Sequence, residues 1–448
     1  MRSRTSERAR SDPWARPEDA SSAGVQVARA ARWAWLFFLV AASASCAADR
    51  PPRGPYLQQM TSDAVVIAWR TSETSASRVL YGQDPMTLTR KAGSGKAETN
   101  HAVRVEGLEP ATRYYYSVDR DLRSPSVHSF RTAPPRGARE PFRFWVVGDS
   151  GTGDRAERQV RDAMLAATRQ RPIDFAIHVG DIAYPSGTEE EFDRGFFGPY
   201  AAILRVVPLW PALGNHEAES VDIAAQSGPW FDAFVLPTAG QAGGVPSHTE
   251  AYYAFDWGNA HFIMLDSSGS PRAKDGAMLR WLEADLAASE GAEWRIVVWH
   301  HAPYSTSLDG TQDDEGSVEM RENVVPIIER AGVDLVLAGH SHAYTRTFLI
   351  DGAGDDRIGD PRRFRLDQEP PSRGQVIRKR PGPNGGAIYV VAGHGGADAD
   401  DVFARPTSAI VDNGHGSCIV DVDGDELRLV NVLATGAVGD SFSIVKRR

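Results

Sequence analysis

The stretch VDLVLAGHSHAYTRT, residues 333–347, decides the fold. Val333-Asp334-Leu335-Val336-Leu337 is an apolar run of strand length, ended by Gly339, and His340 and His342 follow one residue apart. A single histidine at such a place is commonly a satisfied core residue. Two at the exit of a buried strand point to a ligand that they share. Working outward, the same arrangement recurs. Phe142–Val147 runs into Gly148-Asp149-Ser150-Gly151, and Phe175–Val179 into Gly180-Asp181-Ile182-Ala183-Tyr184. Val207–Trp210 leads to Gly214-Asn215-His216-Glu217, and Trp294–Val298 to His300-His301. Five strand ends thus deliver an oxygen or imidazole donor, four of them directly after a glycine. In open α/β sheets the carboxyl ends of the strands converge on one crevice. Glycine lets the backbone turn there and leaves room for a ligand or ion.

Each piece alone also has a structural reading. An aspartate after a strand is often a helix N-cap, Gly-Asn-His-Glu can be a turn, and two adjacent histidines can be partly exposed imidazoles. Their joint occurrence, in order and each at a strand terminus, points to a metal site. His178 lies inside a strand and reads as a core histidine. His394 and His415 follow glycine-rich turns and receive no role.

The 448 residues exceed one ordinary core, so more than one domain is expected. Residues 51–135 alternate with period two: Ala64–Trp69, Arg78–Tyr81, His101–Val105 and Tyr114–Val118 read as short strands of a β-sandwich. His101 and Trp69 read as structural there, and Thr132–Gly137 as a stiff linker. From residue 140 to 448 strands alternate with helices, near Arg155–Arg169, Met278–Leu286 and Val324–Arg330. That pattern predicts an α/β domain with a largely parallel sheet covered on both faces. Residues 351–385, rich in Asp, Arg, Pro and Gly, read as a surface insertion, and 386–448 as a returning β segment that includes Ser417–Val422 and Leu427–Val430.

A formal charge of −10 argues against a protein that holds nucleic acid through its phosphates, though it admits small anionic substrates beside metal charge. Residues 1–48 read as an export signal with its flanking segment. Seven arginines against four acids in the first 32 residues precede Trp33–Val40, an apolar run too short to span a bilayer. Cys46 after Ser43-Ala44-Ser45 is open to acylation as a lipid anchor; simple cleavage near Ala44 or Ala48 explains the segment equally well. Cys418 is the other cysteine, and no disulfide is expected. The expected location is therefore outside the cytoplasm of a bacterium: periplasmic, secreted or lipoprotein-anchored.

The set D-x-G, G-D-x-x-Y, G-N-H-E, V-x-x-H and G-H-x-H resembles the five blocks of the purple acid phosphatases, a branch of the calcineurin-like metallophosphoesterases. The resemblance runs from about Gly54 to the C-terminus. Gly107–Tyr114 is similar to the corner of fibronectin type III domains, where a tyrosine hydroxyl bonds back to the turn. The fold it implies is a four-layer αββα sandwich behind an all-β fibronectin type III-like domain. It implies Asp149, Asp181, Tyr184 and His342 on one metal, and Asp181, Asn215, His300 and His340 on a second, with Asp181 bridging. Ser150-Gly151 stands where most metallophosphoesterases carry a ligand histidine, and Tyr184 supplies the missing donor. Two carboxylates and a phenolate suit Fe(III), because a phenol ionises near neutrality only beside a strongly acidic ion. The second donor set suits a divalent ion, Fe, Zn or Mn.

The activity so implied is that of an exported acid phosphatase, in which a metal-bound hydroxide attacks a phosphomonoester. His216 is placed to contact phosphate oxygen or protonate the leaving group. Plant-type relatives carry histidines shortly after the V-x-x-H block, where this chain has Tyr304–Gly310. His301 either replaces them as an acid or orients a ligand. Thr345 stands in place of a glutamate usual in the family. Two other functions fit less closely: a phosphodiesterase acting on nucleotides or lipid head groups, and a cell-surface binding protein without activity. The expected partner is a small phosphate ester; the oligomeric state is not legible.

Overall fold

The structure is a computed structural model that describes residues 52–118, 126–308, 313–357, 360–367 and 369–446. The segment read as an export signal, with Cys46, lies outside the described residues. Among them, no helix is long and apolar enough to cross a membrane.

Residues 53–131 form one five-stranded antiparallel sheet: β1 (Arg53–Gln58), β2 (Ala64–Gly82), β3 (Arg90–Glu106), β4 (Arg113–Val118) and β5 (His128–Arg131). The runs Ala64–Trp69 and Arg78–Tyr81, expected as two strands, are halves of β2. The polar residues between them slip the pairing with β3 at Arg70/Ser75 without ending the strand. The Tyr114 hydroxyl accepts the Glu109 backbone N–H at 3.0 Å, closing the corner of the turn. Trp69 and His101 stack at 4.6 Å, and the imidazole sits among the hydroxyls of Thr71, Ser75 and Ser77, so both are structural.

Among the described residues, those from 142 onward build two seven-stranded sheets. One contains β9 (Tyr253–Trp257), β10 (Ala260–Met264), β11 (Trp294–His301), β12 (Leu335–Gly339), β13 (Tyr344–Thr347), β15 (Ile388–Ala392) and β16 (Ser408–Asp412). The other contains β6 (Phe142–Val147), β7 (Phe175–His178), β8 (Leu209–Pro211), β14 (Gln375–Lys379), β17 (Gly416–Asp423), β18 (Glu426–Leu433) and β19 (Val438–Lys446). The single, largely parallel sheet expected from the strand–helix alternation is thus corrected to two mixed sheets. Parallel pairing holds for β10-β11-β12-β15 and for β6-β7-β8. The C-terminal hairpins then add antiparallel strands beside β6.

The sheets stack face to face through aromatic side chains. Phe144 of β6 meets Phe262 of β10 edge-on at 5.4 Å, Phe175 meets Trp257 at 4.5 Å, and Trp210 stacks on Phe255 at 4.0 Å. Each sheet therefore leaves its other face to helices. Arg155–Ala167 covers β17 and β18, while Ala277–Ala288 and Val325–Ala331 bury Met278, Leu282, Val325 and Ile328 against Ile263, Val297 and Val336. The result is the four-layer αββα sandwich.

Residues 351–385 are not only a surface insertion. Their last part is β14, an edge strand parallel to β19, with Gln375, Ile377 and Lys379 turned inward. Lys379 Nζ reaches Asp334 Oδ1 at 2.8 Å, and Lys446 Nζ reaches Asp334 Oδ2 at 2.7 Å. A buried carboxylate at the start of β12 needs this pairing to stay charged. The N-terminal sheet docks on the two-sheet part of the chain through Arg53 and Arg70, which pair with Glu189 and Asp193, and through the hydroxyls of Tyr56 and Tyr116 on the carbonyls of Ala233 and Arg205.

Candidate metal centre

All five donor-bearing segments lie at the C-terminal ends of their strands, where β6, β7 and β8 of one sheet run parallel to one another, as do β11 and β12 of the other. Asp149, Asp181 and His340 follow these strands at φ of 54°, 55° and 71°. Such left-handed angles are unfavourable for residues with a Cβ, and they persist where surrounding structure enforces them. Glycines at these strand ends leave the space that the donors fill. A Cβ on Gly180, itself at φ 106°, would lie 2.4 Å from His300 Nδ1, and one on Gly214 would lie 2.1 Å from Asp181 Oδ1. Glycine is required at both because a neighbouring donor occupies the side-chain position.

The donors fall into two groups. In the first, the Tyr184 hydroxyl donates to Asp181 Oδ2 at 3.1 Å and lies 3.2 Å from His342 Nε2, which is 3.7 Å from Asp149 Oδ1. In the second, Asn215 Oδ1 is 2.9 Å from His300 Nε2 and 3.0 Å from His340 Nδ1. His300 Nε2 is also 3.4 Å from Asp181 Oδ2, so Asp181 belongs to both groups. Ligand atoms of Asp149, Asp181 and His300 all lie within 4.8 Å of one another. All seven residues read from the sequence as metal donors are therefore brought together.

The histidines are held from behind. His300 Nδ1 donates to the Val179 carbonyl at 2.9 Å and His342 Nδ1 to the Asp398 carbonyl at 2.8 Å, which turns each Nε2 inward. Glu217, fully buried, binds the loops together. Its Oε1 accepts the N–H groups of Ile182 and Ala183, and its Oε2 those of Asp181 and Gly214. The sequence displays Glu217 within G-N-H-E, but its task on a different loop is invisible there.

The electrostatics of the group fit a cation. Burial, helped by the charge of Asp181, pushes Asp149 well above the usual carboxylate range, with His300 opposing. Burial also works against the charge of Asp181, but His300 and His216 outweigh it and hold that carboxyl down. His300, though buried, is raised to about 10 by Asp181 and Asp149. Burial and the same two carboxylates push the Tyr184 phenol well above its ordinary value. The ion-pair partners of both carboxylates are histidines. Two carboxylates, a phenol, an amide and three imidazoles, with Asp149, Asp181 and His300 fully buried, make up a donor set of the kind that holds positive ions.

His216 starts the short helix Asn215–Ala218. Its backbone N–H donates to Asp181 Oδ1 at 3.1 Å, its part-exposed ring lies 4.4 Å from that of Tyr184, and its Nδ1 contacts the Pro185 carbonyl. His301 turns to the second group: its Nδ1 meets Ser267 Oγ at 3.0 Å and its ring lies 4.4 Å from that of His340. Burial, with His340 and His300 nearby, keeps His301 well below the usual imidazole range and so neutral. Both His301 and His340 line a cavity of about 510 Å³ with Asn215, Arg272 and Asp314. Thr345 bonds Thr306 through their hydroxyls at 2.6 Å, behind the site.

His178, His394 and His415 lie outside both groups. His178 is buried against Ser150 Oγ at 3.0 Å and pushed down to about 3 by burial. His394 bonds Asn431 at 2.9 Å and is pushed down to about 4, again by burial. Cys418 is a buried free thiol in β17.

Comparison with known proteins gives matches over both parts of the chain. The family model described as Calcineurin-like phosphoesterase matches residues 142–344, and that described as Purple acid Phosphatase, N-terminal domain, matches residues 52–132. Purple acid phosphatase 21 of Arabidopsis thaliana is 28% identical over 352 residues, covering 71% of this chain and 75% of that protein. An uncharacterized protein of Mycobacterium tuberculosis is 28% identical over 410 residues, covering 81% of this chain and 71% of its own. Among solved structures, purple acid phosphatase PPD1 from yellow lupin (Lupinus luteus) seeds superposes with a TM-score of 0.71 at 20% identity, covering 89% of this chain and 75% of that one. At that identity the likeness is one of fold.

Proposed function

From the chain's membership of the purple acid phosphatase branch of the calcineurin-like phosphoesterases, and thus its being a phosphatase hydrolase, we propose that it hydrolyses phosphomonoesters at a dinuclear centre outside the cytoplasm. The single observation that carries this reading is the division of seven donors into two sets that share Asp181. The set of Asp149, Asp181, Tyr184 and His342 suits Fe(III), and the set of Asp181, Asn215, His300 and His340 suits divalent Fe, Zn or Mn. Ions so held would supply the charge that activates water and takes up the negative charge of a phosphate.

The chain's own residues do the rest. Carbonyls hold the outer N–H groups of His300 and His342, so that Nε2 of each is the nitrogen turned to the site and would meet an ion there. Glu217 fixes the Asp181 and Gly214 loops against one another. His216, part-exposed beside Asp181, is placed to meet a phosphate oxygen or pass a proton to the leaving group. His301, neutral and tied to Ser267, is better placed to orient His340 than to act as an acid. His216→Ala should slow turnover far more than it weakens metal binding; an unchanged rate refutes its role.

The substrate proposal is tested by supplying metal-replete protein with p-nitrophenyl phosphate and with bis-p-nitrophenyl phosphate. Faster hydrolysis of the monoester is expected. Preference for the diester would move the assignment to a phosphodiesterase, and inertness toward both would favour a binding protein. Export rests on the basic and apolar character of residues 1–48. The mass and N-terminus of the protein recovered from the cell envelope or medium test it, and a chain that keeps Met1 in the cytoplasm refutes it.

A further inference from the structure

Three imidazoles face the interior of the site, and each has its outer nitrogen occupied. For His300 the outer hydrogen-bond partner is the neutral backbone carbonyl of Val179, and for His342 it is that of Asp398, with the Asp400 carboxylate farther off at 3.8 Å from Nδ1. For His340 it is a carboxylate: Nε2 lies 2.6 Å from Asp314 Oδ2, while Nδ1 faces Asn215 Oδ1 at 3.0 Å. We infer that Asp314 is the positioning residue of the second site, holding His340 by its Nε2–H so that the Nδ1 lone pair points at the ion.

The placement of Asp314 is built into the fold. The residue immediately precedes the short helix Glu315–Glu319. Gly316 of that helix is packed so closely on His301 that a Cβ there would lie 2.7 Å from the ring. His301 in turn is pinned to Ser267 and packs against His340 with the rings tilted by 46°. The helix, His301 and His340 therefore form one packed unit at the cavity wall, and Asp314 lies where that unit meets the outer edge of His340.

The chemistry gives the contact a purpose. The second set of donors contains a single carboxylate, Asp181, shared with the first, beside an amide and two imidazoles. A carboxylate behind an imidazole makes it a stronger donor and fixes which nitrogen is free, and loss of such a partner typically weakens metal affinity about 10–100-fold. Asp314 thus adds negative charge to the poorer of the two sites without occupying a coordination position. The first site has Asp149 and Tyr184 of its own, and the Asp400 carboxylate lies 3.8 Å from His342 Nδ1, beyond hydrogen-bond distance.

This inference rests on the two-site reading above, and the test separates them. The full-length protein, stripped with chelator, is titrated with Zn²⁺ in competition with a chromophoric chelator, and bound metal is counted per chain. Asp314→Ala should weaken one site 10–100-fold and leave the other within about twofold, with Asp314→Glu recovering part of the loss. A control, His340→Ala, should remove that same site. If Asp314→Ala binds within twofold of wild type at both sites while His340→Ala loses one, the inference about Asp314 is overturned and the two-site reading stands. Equal weakening of both sites by Asp314→Ala also overturns it, as a general disturbance. If His340→Ala costs no metal, the two-site reading itself falls.

Discussion

Gly180→Ala isolates the steric logic of the site. The substitution adds one methyl group, yet Gly180 has φ 106° and its Cβ would sit 2.4 Å from His300 Nδ1 and 3.0 Å from the Gly214 Cα. A left-handed angle costs an L-residue about 1–2 kcal/mol. The overlap with His300 is a shortfall of roughly 1 Å from ordinary contact, and overpacking of that kind costs about 1–3 kcal/mol. Together these give about 2–5 kcal/mol of lost stability. The imidazole cannot retreat freely, because Nδ1 is bonded to the Val179 carbonyl and Nε2 sits between Asn215 and Asp181. Metal binding should therefore fall together with stability. Urea unfolding of the chelator-treated protein gives the first quantity and bound metal per chain the second. Gly95→Ala is the control: its Cβ meets nothing within 4 Å, so a change within about 0.5 kcal/mol is expected. If Gly180→Ala matched Gly95→Ala in both measurements, the claim that neighbouring donors dictate these glycines would be wrong.

Two further outcomes follow from buried charge. Lys379→Met should destabilise the protein by about 3–5 kcal/mol by leaving buried Asp334 short of a partner. Burial opposes the Asp334 charge, but Lys379 and Lys446 hold its carboxyl below the ordinary value. Its contribution is thus present above about pH 4 and lost as pH falls through the lowered folded value, so the variant should lose most near neutrality and converge with wild type in acid. A constant difference across the pH range in urea unfolding would refute this. His261 is the opposite case. Though buried, it is raised to about 9 by Asp256 and Asp285, at 2.7 and 2.8 Å. The stability it confers is full below about pH 6.5 and disappears as pH rises through about 9. Its ring signals in NMR should titrate near pH 9, and a midpoint at or below 6.5 contradicts the ion-pair reading.

The part of the molecule legible in the sequence was the part where chemistry is local. A strand that ends in glycine and a donor announces both its terminus and its use, so Asp149, Asp181, Asn215, His300 and His340 could be read without knowing which strands are neighbours. Sheet partition could not be read this way. The apolar run of β12 and that of β17 look alike, but one pairs parallel in the first sheet and the other antiparallel in the second. β14 was hidden because its inward positions include Gln375 and Lys379, polar residues that bury only when Arg346 and Asp334 come from elsewhere to meet them. Asp314 and Glu217 were missed for a related reason. Asp314 precedes a helix, where aspartate needs no explanation, and the donors that meet Glu217 lie up to 36 residues away in sequence.

The central claim is a pair of ions held by these seven residues, with Tyr184 on one of them. Metal content measured with the visible spectrum, on wild type and on Tyr184→Phe, tests it most directly. Two ions per chain, iron among them, with a tyrosinate absorption that vanishes in the variant, is the predicted result. A wild type that binds iron yet shows no such absorption, or a variant that keeps it, would contradict the account.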